Sequence, residues 1–230
     1  MLKQNEEIHD LLGYDGIKII QNKEMFRFSL DATLLANFVD TTSKAQKIID
    51  LCSGNGPIPL FLSLKTKSKI IGIEIQEQVA DMAKRSVVLN GLEKQVSYLH
   101  ADLKGISKEV GANCYDIVTA NPPYFKYISS SNINKHEQIT IARHEVFVTL
   151  EEIMTESKKL LKNKGLFYLV HRAERLQEIL YLLEMHKLRA RRLQFVYPKE
   201  SSQDAMIVLI EAQKGSKTMV KVEKPMYIHN

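Results

Sequence analysis

Near the middle of the chain, Asp116-Ile117-Val118 runs into Thr119-Ala120-Asn121-Pro122-Pro123-Tyr124-Phe125. An apolar run that ends this way sets two hydrogen-bond acceptors, the Asn121 side-chain oxygen and the Pro122 carbonyl, beside an aromatic face. Each proline fixes its own φ, and Pro123 keeps Pro122 extended, so the acceptors are in place before a ligand arrives. Such a pair can take both hydrogens of a planar exocyclic amine while Tyr124 stacks on the attached ring. The nitrogen lone pair is then drawn out of conjugation, towards an incoming electrophile. Asn-Pro-Pro also occurs in ordinary turns, so its surroundings decide.

A second group lies upstream, in Asp50-Leu51-Cys52-Ser53-Gly54-Asn55-Gly56. Small residues between a strand and a helix let backbone approach a ligand, and the helix start offers unpaired N–H groups. A dinucleotide turn needs a third glycine after Gly54 and Gly56, and Pro59 stands there instead. The turn therefore suits a smaller, amino-acid-bearing nucleoside, with Asp50 near its ammonium group. Glu74, followed by Ile75, lies 20 residues beyond Gly54, where a carboxylate can accept from both ribose hydroxyls. In His100-Ala101-Asp102-Leu103, Asp102 is placed to accept from an adenine amine. Taken singly, Glu74 reads equally as a solvated acid and Asp102 as a helix N-cap.

Strands and helices must alternate to bring these groups together. Residues 48–51, 69–74, 96–99, 115–119 and 166–170 read as strands, and residues 57–64, 76–89, 150–161 and 173–185 as helices. Within the second helix Val79, Met82, Ala83 and Val87 face inward, and Gly91 lies past its end. Residues 188–197 and 205–212 form a terminal antiparallel pair. Repeated strand-then-helix order implies an α/β fold with a doubly wound, mostly parallel sheet, which binds ligands beyond the carboxyl ends of its strands. All four features fall at such ends.

Ahead of this region, residues 1–16 are expected to form a short helix and a turn at Gly13 or Gly16. Residues 17–21 and 25–28 read as a hairpin around Asn22-Lys23, and Ser29 can cap a helix carrying Leu30, Leu34, Leu35 and Phe38. The expected division is an N-terminal extension over 1–46, a main domain over 47–213 and a tail over 214–230. Residues 125–145 lack periodicity and read as a binding loop with Lys126, Lys135, His136, Arg143 and His144.

Of 230 residues, 44% are hydrophobic and 26% charged, the profile of a globular protein. Nothing is apolar enough to span a bilayer or serve as a signal peptide, and the two cysteines, Cys52 and Cys114, share no metal-ligand spacing. A reducing cytoplasm is the expected setting, with no metal. Residues 158–199 hold 11 Lys and Arg against 3 Asp and Glu, a net +8 within a chain of net +5. That reads either as a nucleic-acid footprint or as solvated helix faces.

The Asp50-to-Gly56 turn, Glu74, Asp102 and Asn121-Pro122-Pro123-Tyr124 together resemble the S-adenosylmethionine-dependent methyltransferases that modify amino nitrogens. That resemblance implies a Rossmann-like class I fold of seven strands with the last antiparallel. Ser29-Leu30-Asp31-Ala32-Thr33-Leu34-Leu35-Ala36 and Ala142-Arg143-His144-Glu145 narrow it to the bacterial enzymes that methylate adenine N6 beside the anticodon of valine tRNA. The resemblance implies that Asp50, Cys52, Gly54, Gly56, Glu74, Ile75, Asp102, Leu103 and Asn121 hold S-adenosyl-L-methionine, with Asp31 near its methionine end. It assigns Asn121, Pro122, Pro123 and Tyr124 to the target amine, and Phe125, Lys126, Arg143 and His144 to the tRNA substrate. Cys52-Ser53 departs from the Gly-Cys or Gly-Ala pair usual in relatives. The same loop suits the glutamine amide of a release factor, guanine N2 of rRNA or adenine N6 of DNA. An intact Asn121 and Glu74 argue against a non-catalytic RNA-binding protein on this fold, and a nicotinamide oxidoreductase fails on glycine spacing.

Overall fold

A computed structural model describes residues 2–11, 14–25, 30–41, 47–124 and 147–229. The chain begins with an antiparallel hairpin, β1 (Glu6–Leu11) and β2 (Tyr14–Asn22). The expected helix over 1–16 is therefore a strand through residues 6–11, and the partner of the Ile17–Gln21 run precedes it rather than follows it. Tertiary contact overrides the weak local periodicity. The Ile20 N–H donates to Ser86 Oγ, and Asn90 brackets Lys18, accepting from its N–H and donating to its carbonyl. Residues 26–28, the expected second half of the hairpin, lie outside the described residues, as does Ser29.

α1 (Leu30–Phe38) buries Leu34, Leu35 and Phe38, and the alternating region follows. In order come β3 (Lys47–Leu51), α2 (Pro57–Lys65), β4 (Lys69–Glu74), α3 (Glu77–Leu89), β5 (Val96–His100), α4 (Ser107–Val110) and β6 (Tyr115–Ala120). Then come α5 (Leu150–Leu160), β7 (Leu161–Arg172), α6 (Leu176–Met185), β8 (Leu188–Lys199) and β9 (Ile207–Lys214). Proline in the first turn of α2 needs no N–H partner there, and the Thr149–Glu152 capping box opens α5. Met82, Ala83 and Val87 of α3 are buried, as their spacing predicts, while Val79 is half-buried.

The strands lie in the order β5-β4-β3-β6-β7-β9-β8, all parallel except β9, which runs antiparallel to both neighbours. The expected seven strands are thus present, with the last one reversed. Two short strands of the tail, β10 (Lys221–Val222) and β11 (Met226–His229), add to the outer edge of β8, making nine in all among the described residues. Helices cover both faces, so β3, β4 and β6 read as mainly apolar runs, whereas β5 at the sheet edge alternates. One core layer gathers α1, α2 and α3 around Ile48, Phe61 and Tyr168; the other gathers α5 and α6 around Ile49, Val118 and Phe167. No helix among the described residues is long and apolar enough to cross a membrane.

Candidate active site

At the carboxyl ends of β3, β4, β5 and β6 an open cleft of about 1060 Å³ is lined by Cys52, Gly54, Glu74, Ile75, Asp102, Leu103, Asn121 and Pro123, with Met25, Ala32, Val79 and Val148 as apolar walls. The sequence-predicted turn, acids and Asn-Pro-Pro loop therefore meet at one place. Asp31, Asp50, Gly56, Pro122 and Tyr124 stand outside that lining, and Phe125, Lys126, Arg143 and His144 lie outside the described residues.

The turn after β3 is built from below. Asp50 is fully buried and accepts from Ser53 Oγ at 2.7 Å and Thr119 Oγ1 at 2.5 Å, so it braces the turn against β6 instead of facing the cleft. Burial raises its carboxyl to about 7. Gly54 and Gly56 have φ of +56° and +100°, which a glycine adopts at no steric cost. Cys52, which carries a β-carbon, takes φ +56° as well. A β-carbon on Gly72 of β4 would lie 2.2 Å from Tyr98 Cε1 and 2.6 Å from Ser53 Oγ, so the sheet needs glycine there.

Glu74 is the hinge of the constellation. Its carboxylate accepts from the Gly54 N–H and the Gln76 N–H, each at 2.9 Å, tying the end of β4 to the glycine turn. Burial raises its pKa, against the pull of those two N–H groups. Each oxygen keeps a lone pair for a further donor in the cleft. Asp102 accepts from the Lys104 N–H at 2.9 Å within a turn, not as a helix cap, since the next helix begins at Ser107, and it remains exposed at the cleft.

On the far side of the cleft, Tyr124 Oη lies 2.7 Å from Asp31 Oδ2 and 2.9 Å from Asn121 Oδ1. Arg175 Nη1 donates to the Tyr124 carbonyl at 3.2 Å, and the His171 ring packs against the phenol at 5.1 Å between centroids. His171 ends the apolar run of β7 in full burial, which lowers its pKa to about 3 and keeps it neutral. Burial and the Asp31 charge hold the Tyr124 phenol well above its usual range, so it keeps its proton. Ser53, Thr119, His171 and Arg175 were not singled out from sequence. Thr119 and His171 do carry a signal, as polar residues closing apolar strand runs.

The basic segment does not form one patch. β8 runs parallel to β7, because both oppose β9, so Lys158, Lys159, Lys162, Lys164, Lys187 and Arg189 stand at the rim away from the cleft. Lys159, Lys162 and Arg189 are paired there with Glu156, Asp116 and Glu184. Arg172, Arg175 and Lys199 lie on the same rim of the sheet as the cleft, Lys199 three strands beyond β6 on β8.

With the carboxylate tied to the glycine turn and the Asn-Pro-Pro-Tyr loop beside the same cleft, comparison with known proteins gives the chain a family. A family model described as the methyltransferase small domain covers residues 27–191. The chain belongs to that family. The methyltransferase is 26% identical over 190 residues, 80% of this chain and 73% of the relative, to a tRNA1(Val) (adenine(37)-N6)-methyltransferase of Porphyromonas gingivalis. It is 24% identical to one of the same name from Phocaeicola vulgatus, over 86% of this chain and 81% of that one. Among solved structures, a predicted O-methyltransferase of Agrobacterium tumefaciens superposes with a TM-score of 0.66 at 21% identity, covering 86% of this chain and 88% of that one. This last likeness concerns the fold of the methyltransferase alone.

Proposed function

We propose that the chain transfers a methyl group from S-adenosylmethionine to adenine N6 of a tRNA, next to the anticodon of valine tRNA as the names of its relatives suggest. The observation that carries this reading is Asn121 lining the same cleft as Glu74, with Glu74 bonded to the Gly54 N–H. The residues fit such a cofactor: a carboxylate with lone pairs to spare for two hydroxyls, an exposed Asp102, and apolar walls on either side. Glu74 would hold the ribose, Asp102 and Leu103 the adenine, and the Gly54 turn the amino-acid end. The cofactor supplies an electrophilic methyl group, so the chain itself has little covalent work to do.

We assign that work to orientation. Asn121 and the Pro122 carbonyl accept both hydrogens of the target amine, and the lone pair left on nitrogen points across the cleft. The N–C bond forms, the bond from carbon to sulfur breaks, and one amine proton passes to solvent. Pro122 and Pro123 hold the acceptors still, while Tyr124 offers the target base a face. Asp50 serves from beneath, by fixing Ser53 and Thr119. The anticodon loop is single-stranded, so extruding its base costs less than opening a duplex. Arg172 and Lys199 at the rim suit phosphates without reading sequence.

The test uses the Asn121→Ala variant with labelled cofactor, total tRNA and, in parallel, a release factor. Wild-type label in tRNA, found as N6-methyladenosine by nucleoside mass spectrometry, supports the reading. The variant is expected to bind the cofactor as wild type does and to lose at least about 100-fold in turnover, the usual effect of removing one preorganised partner. Unchanged turnover refutes the role of Asn121; label in the release factor alone refutes the substrate.

A further inference from the structure

We propose that Asp31 is a positioning residue for methyl transfer: it accepts the single hydrogen bond that the Tyr124 hydroxyl can donate, so that the Asn121 oxygen is left to the target amine. The proposal rests on the methyl-transfer reading of the cleft and goes beyond it, because it moves Asp31 from the cofactor to the acceptor side of the reaction.

The argument is a proton count. A phenol has one proton to give, and two oxygens lie within reach of Tyr124 Oη: Asp31 Oδ2 at 2.7 Å and Asn121 Oδ1 at 2.9 Å. A carboxylate is the stronger acceptor, by roughly a factor of two in bond strength, so the proton goes to Asp31. Nothing on Tyr124 then holds the Asn121 oxygen in place. A half-turn of the Asn121 carboxamide about Cβ–Cγ puts its N–H on the phenol oxygen and its oxygen towards the cleft that it lines. The resulting chain, from Asn121 N–H to Tyr124 O–H to Asp31 carboxylate, has one donor and one acceptor at every link. Without the carboxylate, the phenol proton falls to Asn121 and competes with the substrate for the same oxygen.

The surroundings keep Tyr124 where this requires. Arg175 fixes its carbonyl and the His171 ring flanks its own, so the phenol cannot swing away from either neighbour. Asp31 sits in the first turn of α1, outside the residues lining the cleft, and its contact with Tyr124 spans 93 positions of sequence.

The experiment crosses Asp31→Ala with Tyr124→Phe, with Asp31→Asn as a same-shape control for folding. The first readout needs no substrate: the side-chain amide signal of Asn121 in a nitrogen–proton NMR spectrum, assigned by its loss in Asn121→Ala. A hydrogen-bonded amide shift is expected in wild type, lost in Tyr124→Phe and in Asp31→Ala. An Asn121 signal that Asp31→Ala leaves unchanged overturns the proposal, whether or not tRNA is the substrate. The second readout is steady-state methylation of tRNA. Asp31→Ala is expected to lower kcat about 10- to 100-fold, the worth of a hydrogen bond to a charged group, with the KM for S-adenosylmethionine unchanged. In the Tyr124→Phe background, where no competing proton exists, the same substitution is expected to change kcat less than about 2-fold. Equal losses in both backgrounds, or a raised KM for the cofactor, overturn the proposal and return Asp31 to the cofactor. Absence of tRNA methylation by the wild type counts against the substrate assignment, and the NMR arm then decides the proposal by itself.

Discussion

Asp50→Asn tests the brace beneath the glycine turn. Burial lifts the Asp50 carboxyl from 3.8 to about 7, with the Thr119 and Ser53 hydroxyls pulling it down and the Glu74 charge adding to the rise. In the unfolded chain the same group titrates at about 3.9. Between those values the folded protein keeps a proton that the unfolded chain has released. The stability linked to that proton is fully present below about 3.8 and is lost as the pH rises through about 7. At about 1.36 kcal/mol per pH unit, the loss amounts to about 4 kcal/mol. The Asn variant keeps the shape and the two hydroxyl contacts and has nothing to titrate. Other buried groups, such as neutral His171 and Glu74, are common to both proteins and largely cancel in the difference. Urea unfolding from about pH 4 to about pH 8 reads the result. The stability of the variant relative to wild type should grow by about 4 kcal/mol across that range. A difference that stays flat with pH refutes the buried, proton-sharing Asp50.

Two more outcomes follow from packing and charge placement. Gly72→Ala drives a β-carbon into Tyr98 and Ser53 and should destabilise by about 2–3 kcal/mol in thermal or urea unfolding; adding Tyr98→Leu should recover part of it. Lys158→Ala, Lys164→Ala and Lys187→Ala combined, at the rim away from the cleft, should leave tRNA affinity and its salt dependence unchanged. Lys199→Ala at the near rim should lower the salt slope by about 1, measured by filter binding over a salt series.

The parts of the fold that could be read ahead were those where one physical signal spans the whole element. β3, β4 and β6 are continuous apolar runs, and α3 shows its inner face at helical spacing. Residues 6–11 misled because Glu6-Glu7-Ile8-His9-Asp10-Leu11 carries little apolar signal of either period, and α3 decided the outcome. β10 and β11 are too short and too exposed to show a pattern; they exist because the outer edge of β8 offers backbone partners. In the cleft, Gly54, Glu74, Asp102 and Asn121 were legible because a parallel sheet brings all strand ends to one rim. The Thr119–Asp50 bond, the Tyr98 clash and the Asp31–Tyr124 contact were not, since each joins distant positions and depends on register. Charge was legible in amount and not in direction: the segment 158–199 is strongly basic, yet the parallel course of β7 and β8 sends much of it to the opposite rim.

The short tail strands bear on self-association. An uncovered outer strand is a template on which a second chain can build, and β8 is 12 residues long. β10 occupies that margin at Arg192 and Leu193, and β11 occupies it from Val196 to Lys199. Among the described residues, no strand covers the outer edge of Leu188-Arg189-Ala190-Arg191, where two guanidinium groups discourage a foreign strand from docking. Residues 221–229 thus guard the border of the sheet, and removing them would leave β8 a sticky margin.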